Sequence, residues 1–148
     1  MRHPVEYVRV FADDTGESHI ETGAITFQSE HFAPPAPPLD VTMLSRAAGW
    51  NLLRFPADWV GGWHRTPYRQ WIFVLTGETT VCASDGSQCR LGAGGICLLE
   101  DTHGKGHLTT ISGGGDVLMV GVRIPDDEPA TEPVQGIPTH RGNRAPES

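Results

Sequence analysis

No stretch of this 148-residue chain approaches the run of roughly 20 apolar residues that a helix needs to cross a bilayer. Its opening, Met1-Arg2-His3-Pro4-Val5-Glu6, lacks the apolar segment of a secretory signal, so the expected location is the cytoplasm and no membrane partner is expected. Positive charge is scarce: 11 Lys and Arg stand against 18 Asp and Glu, a formal charge of −7. That balance works against binding a polyanion through a general electrostatic footprint, and nucleic acid is not an expected partner. Cysteine is sparse too. Cys82, Cys89 and Cys97 form no Cys-x-x-Cys pair, and an odd count suits reduced thiols. Cys82 and Cys89 flank the Asp85-Gly86 turn, where a cross-hairpin disulfide is the alternative. Also missing are any amphipathic helical periodicity and any repeat of fixed period.

What is present is a succession of short, β-branched and aromatic segments separated by turn residues. Val5 to Phe11 reads as a first strand ending at Asp13-Asp14-Thr15-Gly16, and a second lies near Ala24 to Gln28. Four prolines among Pro34, Pro35, Pro37 and Pro38 exclude a helix or an inner strand and predict a stiff strap over the outside of the domain. Further strands are expected at 49–55, 69–75, 78–83, 88–91, 96–99, 107–111 and 117–123. At this length a single all-β domain is expected. Residues 1–40 supply N-terminal strands and the strap, 41–124 the barrel core, and 125–148, poor in hydrophobes, a flexible tail.

Between Trp63 and His107 the chain carries its most informative pattern. In a strand running from Trp63 to Leu75, alternation puts His64, Thr66, Tyr68, Gln70, Ile72 and Val74 on one face, provided Pro67 does not shift the register. Trp63, Trp71 and Phe73 share the other face, where packing between sheets or at a subunit interface is expected. Downstream, Gly94-Gly95-Ile96-Cys97-Leu98-Leu99 leads into Glu100-Asp101-Thr102-His103-Gly104-Lys105-Gly106-His107.

This spacing resembles the two motifs of the cupin superfamily. Counting back from Gly77, Gln70 falls on the position of the family's Glu, Thr66 on its second His and His64 on its first. The second motif is similar to the segment from Gly94 to His107. The chain departs from the pattern in having Thr66 and Gln70 at two usual metal-ligand positions, Glu100 where proline is common, and a longer loop before His107. The resemblance implies an antiparallel double-stranded β-helix, the jelly-roll barrel. It also implies a divalent transition metal (Fe, Ni, Mn, Co or Zn) held by His64, His107 and Gln70, and a small organic, oxygenated or aromatic substrate.

Two function classes are carried forward. In the first the chain is an enzyme, a dioxygenase or an isomerase or cyclase, with Tyr68 positioning the substrate and His103 or Glu100 completing the site. In the second it is a metal-free small-molecule binder, and the same residues only hydrogen-bond a ligand. Glu100 and Asp101 either supply the negative charge that the amide of Gln70 lacks or merely cap a turn. Arg69 has the parity of the outer face, where an acidic partner is expected, and His19 is a candidate for the pocket rim. The apolar outer face and N-terminal strands predict a homodimer.

Overall fold

The computed structural model describes residues 3–129 and 140–141. In chain order the strands are β1 (Val5–Ala12), β2 (Ser18–Ile25), β3 (Gln28–Glu30), β4 (Leu39–Val41), β5 (Gly49–Phe55) and β6 (Gln70–Thr76). They continue as β7 (Glu78–Ala83), β8 (Gln88–Leu91), β9 (Ile96–Leu99), β10 (His107–Ser112), β11 (Val117–Arg123) and β12 (His140–Arg141). No helix appears among the described residues, and so none is long and apolar enough to cross a membrane.

Seven strands form one sheet in the order β12-β2-β1-β9-β6-β11-β5, three form a second in the order β10-β7-β8, and β3 and β4 pair as a separate hairpin. All neighbours are antiparallel except β1 and β9, which run parallel from Val8 opposite Cys97 to Val10 opposite Leu99. The inner faces of the two large sheets meet in one core. Val10, Ile72, Val74, Cys97, Val117 and Met119 of the larger sheet pack with Val81, Ala83 and Leu91 of the smaller. The alternating burial of β6, β7 and β11 is what a period of two predicts for strands with one face toward this core.

One expectation needs correction, and one alternative is decided. The strand predicted to run unbroken from Trp63 does not form: β6 begins at Gln70, and only an isolated bridge at His64 precedes it. Pro67 brings no N–H to a ladder and restricts the residue before it, which interrupts the pairing. The cross-hairpin disulfide does not form either. Cys82 lies opposite Gln88 and Cys89 opposite Val81, so the two thiols are displaced along the ladder and point to opposite faces, and all three cysteines are free. The tail expected over 125–148 falls largely outside the described residues; of it, His140 and Arg141 pair with Thr22 and Glu21.

Candidate functional site

A cavity opens between the two sheets. Leu53, Phe55, Ile72, Cys97, Leu99 and Met119 line it from the larger sheet, and Thr79, Val81, Leu91 and Thr109 from the smaller. His64, Thr66, Pro67, Gln70 and His107 complete the lining. The space open to the centres of water-sized molecules is about 110 Å³. One water needs about 10–15 Å³ on that measure, so the cavity has room for more than a single water. Among the described residues its lining contains no Arg, Lys, Asp or Glu.

The two histidines come from segments about forty residues apart and are brought together by backbone pairing. His64 N–H donates to His107 O at 3.0 Å and His107 N–H donates to His64 O at 2.8 Å. Directly opposed residues of such a pair project side chains to the same side, and the imidazole centroids lie 4.6 Å apart. Gly106 makes this approach possible: its φ is +74°, and a Cβ there would run into the His64 carbonyl.

Each ring is oriented through Nδ1. His64 Nδ1 lies 2.8 Å from the Gly62 carbonyl oxygen, which can only accept, so the ring donates there. His107 Nδ1 lies 2.6 Å from Asp101 Oδ2, with His107 2 % and Asp101 0 % exposed. In its neutral form each ring therefore carries its proton on Nδ1 and leaves the Nε2 lone pair bare. The other carboxylate oxygen of Asp101, Oδ1, has no hydrogen-bond partner among the described residues. A buried carboxylate with one oxygen unserved is costly, which makes the His107 ring the main recipient of its charge.

Gln70 and Thr66 are buried beside the pair. Thr66 Oγ1 donates to Tyr68 O at 2.8 Å and accepts from Gln70 Nε2 at 3.1 Å, which turns the amide and leaves its Oε1 on the cavity side of Gly121. His64, Gln70 and His107 all line the one cavity. Tyr68, His103 and Glu100 lie elsewhere. The interruption at Pro67 takes the Tyr68 ring out to stack on Arg123, 4.5 Å from centroid to guanidinium carbon. His103 is exposed and its Nε2 lies 3.3 Å from Asp13 O. Glu100 is buried between Arg9, at 2.7 Å, and Arg69, at 3.6 Å. Arg69 does face away from the cavity with an acidic partner, as its parity predicted.

Asp101 is the group whose role the residue pattern left open. An aspartate six residues before a histidine in a glycine-containing loop is the only local signal, and turn capping explains such a residue equally well. Its neighbour Glu100, read as its equivalent, points the opposite way, because successive side chains of an extended segment alternate. Cys97 lines the cavity, but burial pushes its thiol well up from the ordinary range, so it is a neutral wall and not a thiolate.

As a donor set for a divalent ion, the site offers two imidazole nitrogens and one amide oxygen, all neutral. No group of three or more His, Cys, Asp and Glu side chains converges among the described residues. Such a set fits a divalent ion loosely, and its anionic support reaches it only through the Asp101 contact with His107.

No family profile matches the chain, and no curated protein matches it.

Proposed function

We propose that the chain is a cupin-type jelly-roll protein whose inter-sheet cavity is the active site of an enzyme acting on a small, largely apolar organic molecule. The reaction is a proton transfer of the isomerase or cyclase class. The observation that carries this reading is the buried Asp101–His107 pair, which holds the ring with Nε2 bare toward the cavity.

In this reading His107 Nε2 takes a proton from a carbon next to a carbonyl, and the nearby Asp101 carboxylate stabilises the imidazolium that forms. The electron pair left on carbon moves to the carbonyl oxygen, giving an enolate. The Thr109 hydroxyl on the cavity wall can donate to such an oxygen, and in this reading His64 exchanges a proton at the neighbouring position. With no cationic side chain in the lining, the substrate is uncharged, or its polar group is met by the two imidazoles.

Solvent exchange tests this. A panel of small cyclic and aromatic ketones in D₂O, followed by proton NMR, should show catalysed exchange of a C–H next to the carbonyl. In His107→Ala that rate should fall by on the order of 10²–10⁴, with the fold intact. Tight binding of these ketones with no exchange would leave a binding protein in place of the enzyme.

A metal-dependent reading, with the ion on His64, His107 and Gln70, is favoured by one observation: the two bare Nε2 atoms sit on rings 4.6 Å apart. Such an ion would supply Lewis acidity, or oxygen chemistry of the dioxygenase class if redox-active. Stoichiometric transition metal in untagged protein, lost in both His64→Ala and His107→Ala, would replace the proton-transfer reading with this one.

A further inference from the structure

Residues 26–50 leave the body after β2 and return at the start of β5, and every one of them is exposed except the half-buried Val41. Within this arm the only regular structure is the three-residue pairing of β3 with β4. A lone two-stranded hairpin without a core is marginal in water. Yet the arm carries Phe27, Phe32, Leu39, Met43 and Leu44 as exposed apolar side chains, with Met43 73 % and Leu44 fully open. Its C-terminal base is fixed to the body by Ala48 N–H to Arg123 O at 2.8 Å and by Arg46 with Asp127 and Glu128.

The larger sheet shows a matching deficit. An antiparallel sheet with one face in water alternates apolar and polar residues. Here β5, β11 and β6 carry apolar residues on both faces, Arg54 of β5 being the charged exception on the outer one. Across the outer face the register aligns Trp50, Val122 and Trp71 in one row and Leu52, Val120 and Phe73 in the next. Toward β9 and β1 this face is covered, where Leu98 and Tyr7 are buried with Ile124. Toward β5 it is open: Trp50 is 73 % and Leu52 58 % exposed. β5 is also the edge of the sheet, with no further strand on its other side among the described residues.

We infer that the open outer face of β5, β11 and β6 receives the 26–48 arm of a second copy of this chain, and that the two arms are exchanged about a two-fold axis. The occupant follows from what each copy exposes. Taking roughly 150–250 Å² for a large side chain, the arm and face together present on the order of 1,000 Å² of apolar surface per copy. A stable complex takes about 800 Å² per partner, so one reciprocal exchange accounts for both patches. An isologous arrangement also satisfies both at once, since each arm meets the other copy's face. β5 is an edge strand among the described residues, so strand addition by an extended segment of the arm can accompany side-chain burial. The inference is independent of the reaction proposed for the cavity.

Sedimentation equilibrium of the full chain tests it with two variants. One carries Met43→Glu and Leu44→Glu in the arm; the other carries Trp50→Glu and Leu52→Glu on the face. All four positions are exposed within one copy, so each variant should fold, with an unchanged circular dichroism spectrum. The wild type should be a dimer at micromolar concentration, and each variant alone should dissociate at least about a hundredfold more readily. Mixing the two variants is decisive: the hybrid has one arm–face contact wholly wild type and one doubly altered, so heterodimer should reappear where each variant alone is monomeric. A monomeric wild type, a variant that dimerises normally, or a mixture that stays monomeric would overturn the inference.

Discussion

Gly106 stands one residue before His107 with φ at +74°, and the space where its Cβ would lie is taken by the backbone of His64 and Arg65. That single position couples the geometry of the loop to the contact between the two histidines. An alanine there takes on left-handed strain of about 1–2 kcal/mol, and its methyl group must also push the His64 segment away. Gly106→Ala is therefore expected to lower the thermal midpoint and to break the His64–His107 backbone bridge, seen as faster amide exchange at both residues. An unchanged midpoint with both amides still protected would show that the loop relaxes without moving the site. At this scale the sequence was partly legible. His64 and His107 could be paired by their positions, because alternate side chains of strands distant in sequence share one face toward the space between two sheets. Tyr68 could not be placed, since one proline sets the register of everything between His64 and Gln70. Asp101 could not be assigned, since its single signal is shared with ordinary turn residues.

Among the elements, the β1–β2 hairpin, the β7–β8 turn and the loop leading to β10 are tied into one cluster behind the cavity. His19 is its centre. Nε2 of His19 lies 2.6 Å from Asp13 Oδ2 and Nδ1 lies 2.8 Å from Asp85 Oδ2, so both ring nitrogens face carboxylates and a protonated ring satisfies both. Nearby, Ser18 Oγ donates to Gly106 O at 2.7 Å, Lys105 N–H donates to Gly16 O at 2.9 Å, and the Lys105 ammonium meets Glu17. His19 was read as a candidate for the pocket rim; it instead clasps the β1–β2 turn to the β7–β8 turn through Asp13 and Asp85, and its neighbour Ser18 holds Gly106.

The contact with Asp13, and then with Asp85, raises the His19 pKa above its ordinary 6.5. Hydrogen bonds to Thr15 and His19 lower that of Asp13, and bonds to Ser87 and His19 outweigh burial and lower that of Asp85. A raised histidine stabilises fully below 6.5, and its contribution disappears as pH rises through the raised value. The two depressed carboxylates stabilise above their ordinary 3.8, and lose that contribution as pH falls through their lowered values. The clasp is thus strongest between about 3.8 and 6.5. Thermal midpoints across mildly acidic to mildly alkaline pH should fall with rising pH in the wild type. They should follow a flatter course in His19→Asn, whose difference from wild type is greatest at the acidic end. A difference that grows with alkalinity would contradict the clasp.

For the molecule as a whole, most strands were legible because turn residues and β-branched segments bound them locally. β5, β7, β8, β9 and β11 appear where Gly, Asp-Gly and hydrophobic runs predicted them. The parallel pairing of β1 with β9 was not legible. It joins segments about ninety residues apart, and nothing in either segment prefers a parallel neighbour. The strap was predicted as an extended outer connector and its residues are exposed, although the hairpin of β3 and β4 within that segment was not foreseen. What the assembled molecule achieves is a buried imidazole whose only committed nitrogen points away from the cavity. The whole functional account depends on that orientation. Long-range proton–nitrogen NMR of the histidine rings in ¹⁵N-labelled protein at mildly alkaline pH reads it directly. The account predicts that His107 carries its proton on Nδ1 with an unprotonated Nε2, and that Asp101→Asn shifts or mixes the two tautomers. A His107 ring protonated on Nε2, and unaffected by Asp101→Asn, would contradict it.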